Sequence, residues 1–283
     1  MEVSNSTRSR PDRCPGVLRP WAADDGALTR IRVPGGQVGT AALLGVTEVA
    51  DRFGDGRIHV TGRANLQLRA LPLVDGDLPA PVVAAIESTG LLPSRSHDLV
   101  RNVLASPQTG LAGGRADLRP VLSRLDHRLL ADPRLAALPG RFLFTLDDGR
   151  GDLHDRHRDL GLVALDATTC QLRIGAAFGP VIPLDDAVAA LTDLAAAFLD
   201  RRGTGPTAAW HVAELAAPLT VACTPAPQSV VRSEPLPYGP VAGGCHVDAR
   251  DGLTRDQLTR WATTTDHVVL TPWHGVLIPE PTA

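Results

Sequence analysis

Ile58-His59-Val60-Thr61-Gly62-Arg63-Ala64-Asn65-Leu66-Gln67-Leu68 is the stretch on which the reading of the fold turns. Its β-branched and apolar residues predict an extended strand, in which alternate side chains point to opposite faces. Gly62, Ala64, Leu66 and Leu68 then share a packing face, and Thr61, Arg63, Asn65 and Gln67 share the other. A guanidinium, two amides and a hydroxyl in a row suit a bulky anionic ligand. An amphipathic strand with one wet face is the plain alternative.

Upstream, Leu28 to Val33 alternates as a strand, and Pro34-Gly35-Gly36 breaks it. Thr40 to Phe53 predicts a helix with the apolar stripe Leu43, Leu44, Val46, Val49, Ala50 and Phe53, ended by Gly54-Asp55-Gly56. Together with the strand that follows, this is a β-α-β unit. A second such unit lies near the C-terminus. Cys245 to Ala249 predicts a strand, and Thr254 to Thr263 a helix whose Thr254-x-x-Gln257 start fits a capping box. The apolar run His267 to Ile278 completes it. Thr61 aligns with Thr271, 210 positions further on, which sets Arg63 opposite Trp273 and Asn65 opposite Gly275. A spacing this long is no solenoid period. It implies two half-domains in a pseudo-twofold repeat around a central piece.

That piece mixes helices at 81–88, 121–130 and 184–201 with strands at 142–146, 160–165 and 172–176. The class is α+β. The expected division is a disordered tail at 1–13, a first half-domain at 14–80 and a central α/β domain at 81–202. A connecting segment at 203–235 and a second half-domain at 236–283 follow.

The chain has 283 residues, 43% of them hydrophobic, and a net charge of −3, which argues against a general nucleic-acid binder. All 28 basic residues are arginine, so every lysine-type contact is replaced by a planar, permanently charged fork. Cys14, Cys170, Cys223 and Cys245 form no Cys-x-x-Cys pair and no local zinc or cluster spacing. Without an apolar signal core or a membrane-length apolar run, a cytoplasmic protein with reduced thiols and neither nucleic-acid nor membrane partners is expected. His154-x-x-His157 has helical metal-ligand spacing, but so charged a segment reads as a solvated loop, and no metal site is assigned. Asp147-Asp148-Gly149-Arg150-Gly151-Asp152 reads as a tight turn in which Arg150 neutralises its neighbours. Arg101-Asn102-Val103 sits on a loop, where Arg101 either joins Arg63 on one anion or pairs with Asp98 or Asp117.

Thr61-Gly62-Arg63-Ala64-Asn65-Leu66-Gln67 resembles the Thr-x-Arg-x-x-x-Gln strand of the nitrite/sulfite reductase family, and Arg101-Asn102-Val103 its Arg-Asn-Val segment. Cys14-Pro15-Gly16, Ala105-Ser106-Pro107 and the run Arg141 to Asp152 look most like the precorrin-3B synthase branch. The resemblance covers residues 13–283 and implies two ferredoxin-like half-domains around a sirohaem-reductase-type centre. It implies an oxidoreductase of cobalamin biosynthesis that performs oxygen-dependent hydroxylation and lactone formation on precorrin-3A. It also implies an anionic tetrapyrrole, sirohaem or the reacting precorrin, held by Arg63, Asn65, Gln67, Arg101, Asn102 and Arg141. Arg63 and Arg101 match the family's two anion-binding arginines, and Arg141 falls on the first of its two oxyanion lysines. Leu143 stands at the second, a departure that favours the synthase over nitrite or sulfite reduction. The family's [4Fe-4S] cluster needs four converging thiolates, and the four cysteines do not match its Cys-x5-Cys and Cys-x3-Cys pattern. The expectation is a chain lacking the C-terminal cluster-binding half. Such a chain is either an enzyme of this type or a cluster-free tetrapyrrole-binding protein, completed by a separate polypeptide or by self-association.

Overall fold

The computed structural model describes residues 12–280, so the expected tail at 1–13 lies outside the described residues except for Asp12 and Arg13. The chain opens with β1 (Trp21–Ala23), β2 (Gly26–Ile31), β3 (Gln37–Gly39), α1 (Thr40–Phe53), β4 (His59–Val60) and β5 (Leu66–Leu71). Helix α2 (Ala80–Ser88) leads into the centre: β6 (Val103–Ala105), α3 (Arg119–Ala131), β7 (Phe144–Asp147), β8 (Leu160–Ala164), β9 (Thr169–Ile174), β10 (Ala177–Pro183) and α4 (Ala187–Arg201). The last part is β11 (Gly239–Val241), β12 (Gly244–Asp248), α5 (Arg255–Ala262), β13 (His267–Thr271) and β14 (Gly275–Pro279). The α+β class and the paired ferredoxin-like halves of the sequence reading are both present. None of the described helices is long and apolar enough to cross a membrane.

The run 58–68 is not one strand. It breaks into a hairpin, β4 paired antiparallel with β5 through Val60 and Leu66. The Thr61 hydroxyl accepts the Asn65 N–H at 3.1 Å, while the Thr61 N–H donates to the Asn65 carbonyl at 2.9 Å. A Ser or Thr side chain that mimics a backbone turn competes with strand extension. Ala64 takes the left-handed region at φ 53° to close the turn. Arg63 therefore sits at a hairpin tip and does not share a strand face with Thr61, Asn65 and Gln67.

The C-terminal copy builds the same turn. Thr271 accepts the Gly275 N–H at 3.2 Å, and His274, the counterpart of Ala64, has φ 58°. Sheet order repeats as well: β1-β2-β5-β4 in the first half and β11-β12-β14-β13 in the second. Thr254 caps α5 with the capping box read from sequence.

The halves are joined by exchange. β3 leaves the first half and pairs with β13, Val38 opposite Val268. In return, Leu253, just ahead of α5, bridges Ile58, the repeat counterpart of Val268. One apolar core runs through both halves, with Leu43, Val46, Ile58 and Leu66 against Leu258, Val268 and Leu270, and Val82 and Ile86 of α2 added. The centre has its own sheet, β10-β9-β8-β7-β6, parallel among β6, β7 and β8 and antiparallel beyond. β7 and β8 are buried along their whole length, as expected of a covered parallel pair. Leu125 and Leu129 of α3 and Leu191 and Phe198 of α4 cover it.

Gly36 marks the crossing point. It has φ 71°, and a Cβ there would lie 2.1 Å from the carbonyl oxygen of Leu270 in the other half. Gly36→Ala is expected to cost about 3 kcal/mol or more, because backbone must move in both halves. Gly76→Ala, at φ 91° with open space around it, should lose only the left-handed penalty of about 1–2 kcal/mol. Urea unfolding of both variants checks the ranking; equal losses would refute the role given to the crossing.

Candidate anion-binding cleft

On β2 and its extension, alternation turns Leu28, Arg30 and Arg32 to one side and buries Ala27, Thr29, Ile31 and Val33 on the other. The arginine side faces a cleft of about 380 Å³ lined also by Arg13, Cys14, Trp21, Arg63 and Arg141. A smaller cavity of about 160 Å³ shares Cys14, Arg30 and Arg63 with it and adds Arg32, Asn65 and Asn102. Arg30 and Arg32 were not among the residues picked from sequence. The signal was there, in the alternation Leu28-Thr29-Arg30-Ile31-Arg32-Val33.

Arg32 is the unusual member. It is only 3% exposed, and its Nε and Nη1 have no hydrogen-bond partner among the described residues. Nη2 donates to the Pro15 carbonyl at 3.1 Å and lies 3.4 Å from Cys14 Sγ. Burial pushes its pKa below the ordinary arginine range, with nearby Arg30 and Arg63 adding to the effect. Buried polar atoms are normally paired, so two idle N–H groups on a buried cation mark a place where an acceptor belongs. Asp98 is the acid whose charge acts on Arg32, but its carboxylate already accepts the Val17 and Leu18 N–H groups.

Arg63 donates to the Arg141 carbonyl at 3.0 Å, and burial also lowers its pKa. Arg141 is exposed, stacks over Trp210 and lies 3.5 Å from Asp12. Gln67 accepts from Arg30 Nε at 3.5 Å and so props Arg30 toward the cleft. Asn65 spends its amide on the protein: Oδ1 accepts the Val33 N–H at 2.9 Å, and Nδ2 donates to Asn102 Oδ1 at 3.1 Å. Asn102 donates in turn to the Gly140 carbonyl at 3.0 Å. These two amides hold the hairpin, the end of β2 and the 102–140 region together.

Arg101 lies apart from the large cleft. Its guanidinium is gripped bidentately by Asp126 of α3 at 2.6 and 2.9 Å, and it borders a separate cavity with Arg32 and Arg119. The surface pair with Asp98 or Asp117 is therefore not formed; Arg101 is buried and pairs with a third acid instead. Leu143 is buried in the half-domain core. The 147–152 segment is the tight turn read from sequence, with Arg150 clamped on Asp148. His157 meets His211, not His154, and with Asp159 they place ligand-type atoms within 4.8 Å of one another. The Asp159 carboxylate already accepts Leu143 N–H, Val212 N–H and His211 Nδ1, so it orients His211.

The cysteines do not form a cluster cage. Cys170 is enclosed in the central apolar core, where burial pushes its thiol up to about 12. Cys14 lines the cleft, Cys245 lies on β12, and Cys223 is on an exposed segment whose N–H reaches Phe178.

The profile of the nitrite/sulfite reductase ferredoxin-like half domain matches residues 23–76. A ferredoxin–nitrite reductase of Leptolyngbya laminosa is 30% identical over 48% of this chain and 28% of its own length. A precorrin-3B synthase of a Sinorhizobium species is 28% identical over 44% of this chain and 23% of its own. The solved NirA protein of Mycobacterium tuberculosis superposes with a TM-score of 0.68 over 95% of this chain and 59% of that one, at 17% identity. The matches to the curated relatives thus span under a third of their lengths, and the shared fold extends over nearly all of this chain.

Three substitutions separate the roles. Arg32→Met should leave stability unchanged or raise it by about 1 kcal/mol, since replacing an uncompensated buried charge with a well-packed apolar group is neutral or better. Asn65→Ala should cost about 1–3 kcal/mol by stranding the Val33 N–H. Denaturant unfolding reads both, and a large loss in Arg32→Met would mean that the cation is structural. Asp152 has its pKa raised to about 7 by burial and by Asp147, against the Ser106 hydroxyl that donates to it at 2.7 Å. A raised folded-state pKa stabilises below the unfolded value and loses that contribution as pH rises through the folded one. Stability should therefore fall between about pH 4 and pH 7, and Asp152→Asn should exceed wild type at pH 8 by a few kcal/mol, on the order of 4 at most. Parallel pH–stability curves for the two proteins would refute this.

Proposed function

We propose that this chain, which carries a nitrite/sulfite reductase ferredoxin-like half domain at residues 23–76, binds a polycarboxylate tetrapyrrole in its arginine cleft and serves a precorrin-3B synthase-like oxidation. The observation that carries this is Arg32, which lines a cavity with Arg30 and Arg63 and is buried with two donor nitrogens idle. A uroporphyrin-type ligand brings several carboxylates, and guanidinium groups are their natural complement. Each residue has a part in the binding step. Arg32 donates to a carboxylate from the closed end, Arg30 is aimed by Gln67, and Arg63 reaches in from the hairpin tip. Arg141 and Arg13 sit at the open side, where their exposed charge draws an anion in. Sirohaem, when bound, would supply the redox-active iron; the residues here hold its periphery.

The synthase reading is preferred to an oxyanion reductase because Leu143, at the position of the second family lysine, is buried and brings no cation to the cleft. A second reading, a cluster-free tetrapyrrole-binding chain that acts with a separate polypeptide or by self-association, is favoured by Cys170. A thiol locked in the core cannot join three others on a [4Fe-4S] cluster. Iron and sulfide analysis after anaerobic reconstitution separates the two, a stoichiometric cluster rejecting the second.

The binding claim is tested by titrating the protein with uroporphyrin III and sirohaem and following the absorbance band. Saturable binding that weakens with salt is expected. Arg32→Met and Arg63→Ala should each lower affinity about tenfold, the worth of one charge-assisted hydrogen bond. Arg250→Ala, whose guanidinium is paired with Asp248, should change nothing. Absence of binding by wild type, or full binding by Arg32→Met, overturns the assignment.

A further inference from the structure

We propose that Cys14 is a modification site built into the cleft, a thiol placed to react with small anionic electrophiles, above all disulfides that carry carboxylates. It rests on the same arginines as the tetrapyrrole reading but not on which ligand they hold. Cys14 lines both the cleft and the smaller cavity behind it. Its Sγ lies 3.4 Å from Arg32 Nη2 and 4.0 Å from Arg30 Nη1. The position is fixed: its N–H donates to Asp12 at 3.0 Å, and its carbonyl accepts from Arg19 at 2.8 Å. Gly140 lets it sit close, since a Cβ there would come within 2.9 Å of the Cys14 Cβ.

The independent sign that an anion belongs beside this thiol is Arg32, which lines the same cavity, is 3% exposed and has Nε and Nη1 unpartnered among the described residues. An entering carboxylate that satisfies those nitrogens brings whatever electrophile it carries to the sulfur. None of the other cysteines has this setting. Cys170 is sealed in the core, while Cys223 and Cys245 are exposed. The chemistry is thiol–disulfide exchange. The Cys14 proton passes to solvent, and its sulfur attacks one sulfur of the disulfide. That S–S bond breaks as the new one forms, and the other half leaves as a thiolate. Cys14 is oxidised and the departing half reduced.

Alkylation of the native full-length chain tests this, with site-resolved mass spectrometry and iodoacetate compared with neutral iodoacetamide. The iodoacetate-to-iodoacetamide rate ratio at Cys14 should exceed the ratio at Cys223 and Cys245 by about tenfold, the low end of what a focused field supplies. It should fall toward theirs at high salt, and in Arg30→Gln, whose fold is verified by unchanged rates at Cys223 and Cys245. Inorganic sulfate should slow iodoacetate at Cys14 alone. Glutathione disulfide, an anion, should add one glutathione at Cys14, whereas cystamine, a dication, should not. Equal ratios at the three cysteines, or reaction of Cys14 only after denaturation, overturns the proposal. Porphyrin binding measured on the same preparation keeps the two readings apart. Binding without charge preference at Cys14 rejects the thiol site alone, and charge preference without porphyrin binding rejects the tetrapyrrole reading alone.

Discussion

Two short backbone exchanges, laid over a shared apolar core, tie the two halves together and set the closed end of the cleft. β3 is lent to the second half's sheet, and Leu253 is returned to Ile58. Because β3 must cross over, the chain after β2 has to leave its own sheet at residues 33–36, and Gly36 passes against the Leu270 backbone there. Arg32 is the last residue before that departure, so the exchange itself pulls it under cover. Asn65 then ties the hairpin to the same point by accepting the Val33 N–H. The closed end of the cleft is thus set by backbone pairing between the halves and needs no special loop.

Much of this was legible in the sequence. The α1 stripe, the capping box of α5 and the repeat relating Thr61 to Thr271 all correspond to observed features, because period and cap chemistry are local. The hairpin was not legible. Ile58 to Leu68 has strand composition throughout, and what breaks it is one hydroxyl accepting an N–H four residues on, with Ala64 held at positive φ. Neither signal has a period. Arg30 and Arg32 were hidden for another reason: alternation located their strand but did not say which side faced a cavity. The partner of Arg101 was beyond reach as well, since Asp126 approaches from a helix packed at long range.

The arginines of this protein are satisfied to very different degrees. Arg101 and Arg150 are each gripped by a carboxylate, Asp126 and Asp148 respectively, whereas Arg158 and Arg202 make do with backbone carbonyls. In the cleft, Arg30 has an amide and a thiol nearby, Arg63 a carbonyl, and Arg32 a carbonyl and a thiol, while the buried carboxylate of Asp98 is occupied by backbone donors. Burying a cation without a counter-ion is costly. Arg173, buried against the Phe178 ring with Nε and Nη1 likewise unpartnered, shows that this fold tolerates such a deficit elsewhere, so what sets Arg32 apart is the arginine-lined cavity it borders.

The pseudo-twofold repeat supplies an internal control on that argument. Both hairpin turns keep the threonine and the positive-φ residue, so those features belong to the fold. The tip residue does not repeat. Trp273 stands where Arg63 stands, and it is half-buried against protein: Arg156 lies over its ring and Tyr238 donates to its carbonyl. The second tip thus serves as a packing surface. Asn65 and Gly275 make the complementary point. Replacing the amide by glycine in the second copy does not mean that Asn65 serves a ligand, because its amide is consumed by Val33 and Asn102. Among the polar groups of the first hairpin, the guanidinium of Arg63 is the one that neither the turn nor the repeat requires, and it is the one that points into the cleft.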